Sequence, residues 1–183
     1  MSKIKINTPL TTEVTEQLNA GDEVLISGFI YTARDAAHMR LIALMDENKP
    51  LPISLEGEVI YYVGPSPARP GEVIGACGPT TSYRMDSLTV PLLKLGLKGM
   101  IGKGDRSDDV ISAMKETKSV YFAAIGGAGA LISKSVISTQ PIAFDDLGAE
   151  ALVRLEVLDF PAVVAIDCKG QNLYRNATLK YKK

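Results

Sequence analysis

Residues 23–45 read EVLISGFIYTARDAAHMRLIALM, and this stretch decides the fold class. Glu23 to Thr32 is rich in β-branched and aromatic residues, a composition typical of a strand. From Asp35 to Met45 the apolar residues recur at the spacing of one helix face: Ala37, Leu41, Leu44 and Met45. A strand that runs directly into an amphipathic helix predicts an α/β unit.

Similar strand and helix signals continue on both sides of this unit. Predicted strands cover 3–6, 59–63, 73–76, 119–125 and 161–167, with a strand end at 100–101 and a hairpin at 161–174. One predicted helix begins at Glu13 and is capped by Thr12, and another begins at Asp108. A third begins after Thr81 and is expected to break or kink at Pro91. Strand-rich stretches at both ends predict a mixed sheet, and we expect a single α/β domain over residues 1–183.

The bulk composition excludes several classes of partner. The chain has 183 residues, of which 46% are hydrophobic and 22% charged, and its formal net charge is −1. This balance gives no long-range field that would attract nucleic acid. No apolar run approaches the roughly 20 residues that span a bilayer, and the N-terminus lacks the apolar core of a secretion signal. We therefore expect a soluble cytoplasmic protein with no membrane partner and with reduced thiols.

Several well-known motifs fail in this chain. Cys77 and Cys168 stand alone, so a metal site made by this chain is not expected. Residues 126–130, GGAGA, lack the third glycine of a dinucleotide-binding loop, and Gly102-Lys103 lacks the other residues of a phosphate-binding loop. Because His38 is the only histidine, nucleophile–histidine catalysis within this chain would depend on it alone.

Three predicted strand-to-helix turns carry the remaining chemistry: YTARDAAH at 31–38, GPTTSYRMD at 78–86 and GMIGKGD at 99–105. Such turns are where α/β folds usually bind ligands. Each turn holds one cation, namely Arg34, Arg84 and Lys103. Two arginines and a lysine favour a small di-anion such as a dicarboxylate. The alternative is that both arginines pair with Asp35 and Asp86 on solvated helix starts.

These turns, with GKGD read at 102–105 and with DLGAEA at 146–151 and EVLDFP at 156–161, are similar to the C-terminal domain of class I fumarases. In two-chain members, including tartrate dehydratases, that domain is a separate β subunit. The resemblance runs in order over nearly the whole chain, to about Asp167. It implies a swivelling β/β/α domain and a partner α subunit that holds a [4Fe–4S] cluster through three cysteines.

The resemblance also implies roles for five residues of this chain. By motif position, Arg34, Thr80, Arg84 and Lys103 resemble residues that bind substrate, and Thr81 resembles the residue proposed as the general base. The alternative for Thr80 and Thr81 is that they cap the helix after Pro79. His38 either contacts the cluster side of the cleft or is a packed, hydrogen-bonded helix histidine.

The function that we expect is reversible hydration of fumarate to malate, by a hetero-oligomer that is active only with its α subunit. Tartrate dehydration is the alternative within the family, and the residues of this chain do not separate the two substrates. A second alternative, from another class, is a non-catalytic anion-binding module on the same scaffold.

Overall fold

The computed structural model describes residues 3–124 and 129–176. The strands are β1 (Ile4–Asn7), β2 (Glu23–Thr32), β3 (Val59–Tyr61), β4 (Gly99–Gly102), β5 (Val120–Ala123), β6 (Val136–Ala143) and β7 (Leu152–Ile166). The helices are α1 (Thr12–Gln17), α2 (Asp35–Asp46), α3 (Asp86–Lys94), α4 (Asp108–Thr117) and α5 (Gly129–Ile132), with short 3₁₀ helices at Ser82–Met85, Ser133–Ser135 and Asp145–Glu150. This order confirms the predicted α/β class.

The sheet is mixed and partly closed. Strands β1 to β5 pair in parallel with their neighbours along the chain, whereas β7 pairs antiparallel with β2, β5 and β6. Because β7 joins both β2 and β5, the strands β2, β3, β4, β5 and β7 form a closed ring. β1 extends this barrel beside β2, and β6 extends it beside β7. The predicted mixed sheet is confirmed, whereas its closure into a ring was not predicted.

Alternation along the strands produces two hydrophobic cores. In β3, Val59 and Tyr61 belong to a cluster built mainly from the ring strands, which fills the barrel. Ile60, between them, belongs to a second cluster with the apolar faces of α2, α3 and α4. The helices therefore cover the outside of the parallel part of the sheet. Along the chain, α2 follows the end of β2, and α4 follows the end of β4.

Several predictions about local structure were wrong. The cap of α1 is Thr11, whose side chain accepts from the Val14 amide, and not Thr12. Pro91 lies inside α3, which continues through it while Leu92 and Leu93 pack in the core. Residues 73–76 form no strand, and Ala76 is bonded instead to Ser66: its amide donates to the Ser66 hydroxyl at 2.8 Å and its carbonyl accepts from the Ser66 amide at 3.1 Å. At the predicted hairpin, Ile166 and Asn172 form only an isolated bridge, and residues 173–176 are helical.

The predicted glycine turn at 126–129 falls mostly outside the described residues. Within the described residues, no helix is long and apolar enough to cross a membrane.

Candidate functional site

The carboxyl ends of three parallel strands bring three cation-bearing segments to one edge of the sheet. The first segment is 31–38, with Arg34; the second is 78–86, with Arg84; the third is 99–105, with Lys103. The Ala33 amide, just after β2, donates to Tyr61 O at 3.1 Å, and the Tyr62 amide, just after β3, donates to Ile101 O at 2.8 Å. The ends of β2, β3 and β4 are therefore in register. Since a ligand in an α/β fold binds beyond these ends, the arrangement forms a plausible binding edge.

The first segment places Arg34 at the start of α2. Arg34 occupies the N-cap position with extended backbone, and its own side chain makes no cap hydrogen bond. Instead, the carboxylate of Glu150 accepts from the Ala36 amide at 3.0 Å and lies 3.4 Å from Arg34 Nη2. The Nε of Arg34 is buried without a hydrogen-bond partner among the described residues. Glu150 thus fixes both the helix start and the arginine beside it.

Gly64 leaves room for the Arg34 side chain. A Cβ atom at Gly64 would lie 2.7 Å from Arg34 Nη1 and 3.1 Å from its Cδ. Any larger residue at position 64 would have to displace the guanidinium. The absence of a side chain at Gly64 is therefore required for the observed position of Arg34.

The second and third segments are joined through their backbones. The Lys103 amide donates to Thr80 O at 3.3 Å, and the Ser82 amide donates to Lys103 O at 2.9 Å. Thr81 and Lys103 consequently form an isolated parallel bridge that prolongs the sheet beyond β4. The half-buried threonines and the exposed lysine are thus fixed neighbours.

Gly102 permits this close approach. A Cβ atom at Gly102 would lie 1.9 Å from Ser82 Oγ, a distance that real structures do not show. The glycine before Lys103 is therefore required by the packing of one segment against the other, and not by an unusual φ angle.

Arg84 links the second segment to the first. Its Nε and Nη2 donate to the two oxygens of Asp35 at 3.0 and 2.8 Å. Arg34 Nε lies 3.9 Å from the same carboxylate. Asp35 therefore stands between the two arginines. The alternative in which each arginine pairs with the aspartate of its own segment is wrong for Arg84, whose partner belongs to the other segment.

Lys103 completes the set of cations. Its side chain is exposed and makes no ion pair with any residue in 3–124 or 129–176. The structure thus joins Arg34 and Arg84 through Asp35, and Thr80 and Thr81 with Lys103 through the backbone. Together these contacts put the five residues singled out in the sequence on adjoining segments of one edge.

His38 lies beneath the first segment as a packed, hydrogen-bonded histidine. Its Nδ1 and its backbone amide both lie 2.9 Å from Arg34 O, so Nδ1 must carry the proton. Burial lowers the pKa of His38 to about 4. The remaining nitrogen, Nε2, is buried without a partner among the described residues, and the ring packs edge-on against Tyr62 at 5.3 Å.

Arg106, three residues after Lys103, was not among the residues predicted from the sequence. This arginine side chain is fully buried, and its Nε donates to Asp86 Oδ1 at 2.6 Å. Burial lowers the pKa of Arg106, but the nearby phenol of Tyr62 and carboxylate of Asp86 outweigh that effect and raise it. The sequence did contain a signal for this pair, because Arg106 directly follows the GKGD motif and Asp86 is the last residue of the RMD motif.

A further contact made by the C-terminal part of the chain was also missed. Arg175 Nε donates to Asp105 Oδ2 at 3.0 Å, and its Nη2 donates to Arg106 O at 3.0 Å. Asn172 donates to the other oxygen of Asp105 at 2.6 Å. These bonds hold the segment that follows Lys103 from its outer side.

No metal-binding cluster is found in the described part of the chain, where no three His, Cys, Asp or Glu side chains are grouped as ligands. Cys77 and Cys168 are both buried, and their thiols donate to the carbonyls of Gly75 and Thr15. Burial raises the pKa of the Cys77 thiol to about 11, which disfavours the thiolate that binds metals.

Comparison with known proteins adds a family. The model of the fumarase C-terminus matches residues 1–177. The chain is 37% identical to "Fumarate hydratase 2" of Leishmania major over 94% of its own length and 31% of that protein. It is 35% identical to the anaerobic class I fumarate hydratase of Escherichia coli over 97% of its own length and 33% of that enzyme.

A third relative matches over most of both chains. The putative L(+)-tartrate dehydratase subunit beta of Methanocaldococcus jannaschii is 36% identical over 93% of this chain and 91% of its own length. The chain thus spans about a third of the fumarate hydratases, 31% and 33%, and nearly all of the subunit.

Proposed function

This chain belongs to the fumarase C-terminus family, and from that membership we propose that it is the β subunit of a two-chain hydro-lyase that hydrates fumarate reversibly to malate. The observation that carries the subunit assignment is the match to 91% of a relative named as a β subunit. The fumarate hydratases, by contrast, are matched over only 31% and 33% of their length. In this proposal a separate α subunit corresponds to the part of those longer proteins that this chain does not match.

Fumarate is our first choice of substrate, and tartrate is the alternative. The names of the Leishmania and Escherichia relatives support fumarate, whereas the name of the Methanocaldococcus relative supports tartrate. Both are dicarboxylates of four carbons, and a set of two arginines and one lysine suits either of them. The extra hydroxyl of tartrate would be distinguished by groups of the α subunit.

In this proposal Arg84 grips one substrate carboxylate. Arginine has five N–H donors, and Asp35 accepts from Nε and from one hydrogen of Nη2. Within the described residues Arg84 makes no other hydrogen bond, so the edge between Nη1 and Nη2 keeps a paired set of donors. Paired donors on a planar group match a carboxylate. Asp35 would hold Arg84 in the orientation that presents this edge.

The other cations would bind the rest of the di-anion. Arg34 is held by Glu150, and Lys103 adds a point charge from the neighbouring segment. Thr80 lies beside Lys103 through the bond between the Lys103 amide and Thr80 O. We propose Arg34, Thr80, Arg84 and Lys103 as the substrate-binding residues.

Thr81 is the residue that we propose as the general base. Its hydroxyl would take the proton from the substrate carbon next to a carboxylate during dehydration, and return it during hydration. A threonine hydroxyl is a weak base, and nearby cations such as Lys103 and Arg84 would favour its anionic form. No side-chain cap bond is formed by Thr81 at the 3₁₀ helix that follows it, so the hydroxyl is not used as a cap.

The iron–sulfur cluster of the family is assigned in this proposal to the α subunit. The described residues of this chain do not fit it, since neither buried cysteine has companions. This chain would contribute binding of the carboxylates and the proton transfer.

The test is an anaerobic assay of the purified chain, supplied with iron and sulfide, alone and with its α subunit. We expect no turnover of fumarate, malate or tartrate by the chain alone, and turnover by the complex. Faster turnover of tartrate than of malate would select the alternative substrate. Robust turnover by the chain alone would overturn the subunit proposal. Dicarboxylate binding by a chain that purifies without a partner and never gains activity would favour the anion-binding module.

A further inference from the structure

One buried ion pair lies under the candidate site, between Arg106 and Asp86. The Arg106 side chain is 0% exposed and that of Asp86 only 12%. Isolated buried charges are strongly unfavourable, so such a pair persists only where most of its polar atoms have partners. Neither residue belongs to the set proposed to touch substrate.

The pair joins two cation-bearing segments. Asp86 Oδ1 accepts from Arg106 Nε at 2.6 Å, and Asp86 Oδ2 accepts from the Ser107 amide at 2.7 Å. Asp86 is two residues from Arg84, whereas Arg106 is three residues from Lys103. One carboxylate therefore ties the segment of Arg84 to the segment of Lys103 by two short bonds.

The rest of the guanidinium bonds to groups in the core. Arg106 Nη2 donates to Thr89 Oγ1 at 3.0 Å, and Nη1 donates to Tyr62 OH at 3.2 Å. Its charge lies 5.2 Å from the ring centres of both Tyr62 and Tyr121. Only a planar group with several donors makes all these contacts from one position.

Both tyrosines carry the connection onward to the site. Tyr121 OH donates to Gly104 O at 2.9 Å and lies 2.8 Å from Ser82 Oγ. Gly104 directly follows Lys103, and Ser82 directly follows Thr81. Tyr62 packs against His38, whose ring holds the carbonyl of Arg34. All three cation-bearing segments thus rest on one buried guanidinium and its aromatic neighbours.

We propose that Arg106 is a positioning residue: with Asp86 it fixes the separation and orientation of the segments that carry Arg84 and Lys103, so that both cations meet one di-anion. This inference rests on the proposed dicarboxylate site. The charges of the pair cancel locally, so Arg106 acts through geometry and not by adding attraction for the substrate. Small misplacements of binding groups lower rates steeply, by roughly 10²-fold for about 1 Å.

A purely structural pair would behave differently, and a double variant separates the two cases. Arg106→Met alone leaves the Asp86 carboxylate without its partner, and we expect that complex to unfold at lower temperature. Asp86→Asn combined with Arg106→Met removes both charges, and buried pairs replaced in this way often regain stability. The double variant retains the amide oxygen that Ser107 needs but lacks the bond to the guanidinium.

The experiment measures KM, kcat and Tm of the α/β complex, with hydrogen exchange of residues 80–86 and 102–107. For the double variant we expect a Tm near wild type, a kcat/KM lowered by roughly 10–10²-fold and faster exchange in both segments. Arg106→Lys, which keeps the charge, should share the kinetic loss. Ser119→Ala is the matched control, because its hydroxyl donates to Leu97 O at the opposite end of the strands. We expect it to lower Tm without changing KM.

Wild-type kcat/KM and wild-type exchange in a stable double variant would overturn the proposal. If wild-type complex turns over none of the dicarboxylates, the proposed function fails, and the exchange data alone decide whether Arg106 holds the two segments. Faster exchange confined to those segments would still support the positioning role, and unchanged exchange would overturn it.

Discussion

Arg84 donates from Nε and Nη2 to both carboxylate oxygens of Asp35, a residue 49 positions earlier in the chain, at 3.0 and 2.8 Å. Arg84 is 44% exposed and Asp35 26%, so the pair contributes little to stability, about 0–1 kcal/mol. Its importance lies in orientation. A guanidinium held along one edge offers its other edge in a fixed direction.

We predict that Asp35→Asn raises KM for the dicarboxylate by roughly 10–10²-fold, because a misoriented Arg84 would lose a charge-assisted bond to the substrate. Such a bond contributes about 1.5–3 kcal/mol, and about 1.4 kcal/mol corresponds to tenfold. Steady-state kinetics of the α/β complex measure the effect. Asp159→Asn is a suitable control, since it removes an exposed ion pair between Asp159 on β7 and Lys5 on β1. An unchanged KM in Asp35→Asn would show that Arg84 needs no such orientation.

Arg84→Lys tests the paired bonds themselves. Lysine keeps the positive charge but presents a single ammonium group in place of a planar fork. We expect KM to rise and kcat to fall together, because the carboxylate is held less firmly and is less well aligned. Arg40→Lys, which alters an exposed partner of Asp146, is the control. If Arg84→Lys retained full activity, charge alone would explain the residue.

Gly102→Ala tests the close approach of the second and third segments. The new Cβ would collide with Ser82 Oγ, so we expect a loss of about 1–3 kcal/mol in unfolding free energy. Gly78→Ala is the control in the same region, because nothing lies within 4 Å of a Cβ there. Urea unfolding of the three proteins measures the difference. Equal stability of the two variants would contradict the packing that we describe.

Much of the fold follows from local sequence. The observed strand β2 (Glu23–Thr32) has the predicted bounds, and α2 (Asp35–Asp46) begins at the predicted residue. Both rest on patterns within a few turns of chain. The closure of the barrel was not predictable in this way, because it depends on β2 pairing with β7 more than 100 residues later, as in the register of Thr32 with Val153.

In the candidate site, too, features set by local sequence could be predicted, and contacts between distant residues could not. The turns and their cations could be found from composition and strand ends. The partners of those cations could not, because proximity in sequence favours the wrong pairs. Asp86 neighbours Arg84 but binds Arg106, which lies 20 positions away and is fully buried. A buried arginine carries no periodic signal, since charged residues are normally assigned to the surface.

His38 should make the stability of the chain depend on pH. Its pKa is lowered to about 4 in the fold, chiefly by burial, against about 6.5 in an unfolded chain. Between these values the unfolded state binds more protons, so stability rises with pH. The contribution is complete above about pH 6.5 and is lost as pH falls towards 4, with a total of about 3 kcal/mol.

Two measurements check this prediction. Because the chain has a single histidine, its imidazole NMR signals are assigned without ambiguity, and we expect no titration between pH 8 and 5. His38→Asn, whose side-chain amide can replace Nδ1 as donor to Arg34 O, should flatten the stability profile between pH 6.5 and 5. A histidine that titrates near pH 6.5 in the folded chain would refute the prediction.

The last prediction separates Thr81 from Thr80, two adjacent residues whose backbones both pair with the backbone of Lys103. If Thr81 is the general base, Thr81→Ala should lower kcat by roughly 10²–10⁴-fold with little change in KM, since a base acts mainly in the transition state. Thr80→Ala, the matched variant, should raise KM if Thr80 binds substrate. The assay uses the α/β complex with its cluster content measured, because cluster loss would imitate either defect. If instead Thr80→Ala shows the loss in kcat and Thr81→Ala remains active, the proton transfer belongs to Thr80, and Thr81 serves only to join its segment to Lys103.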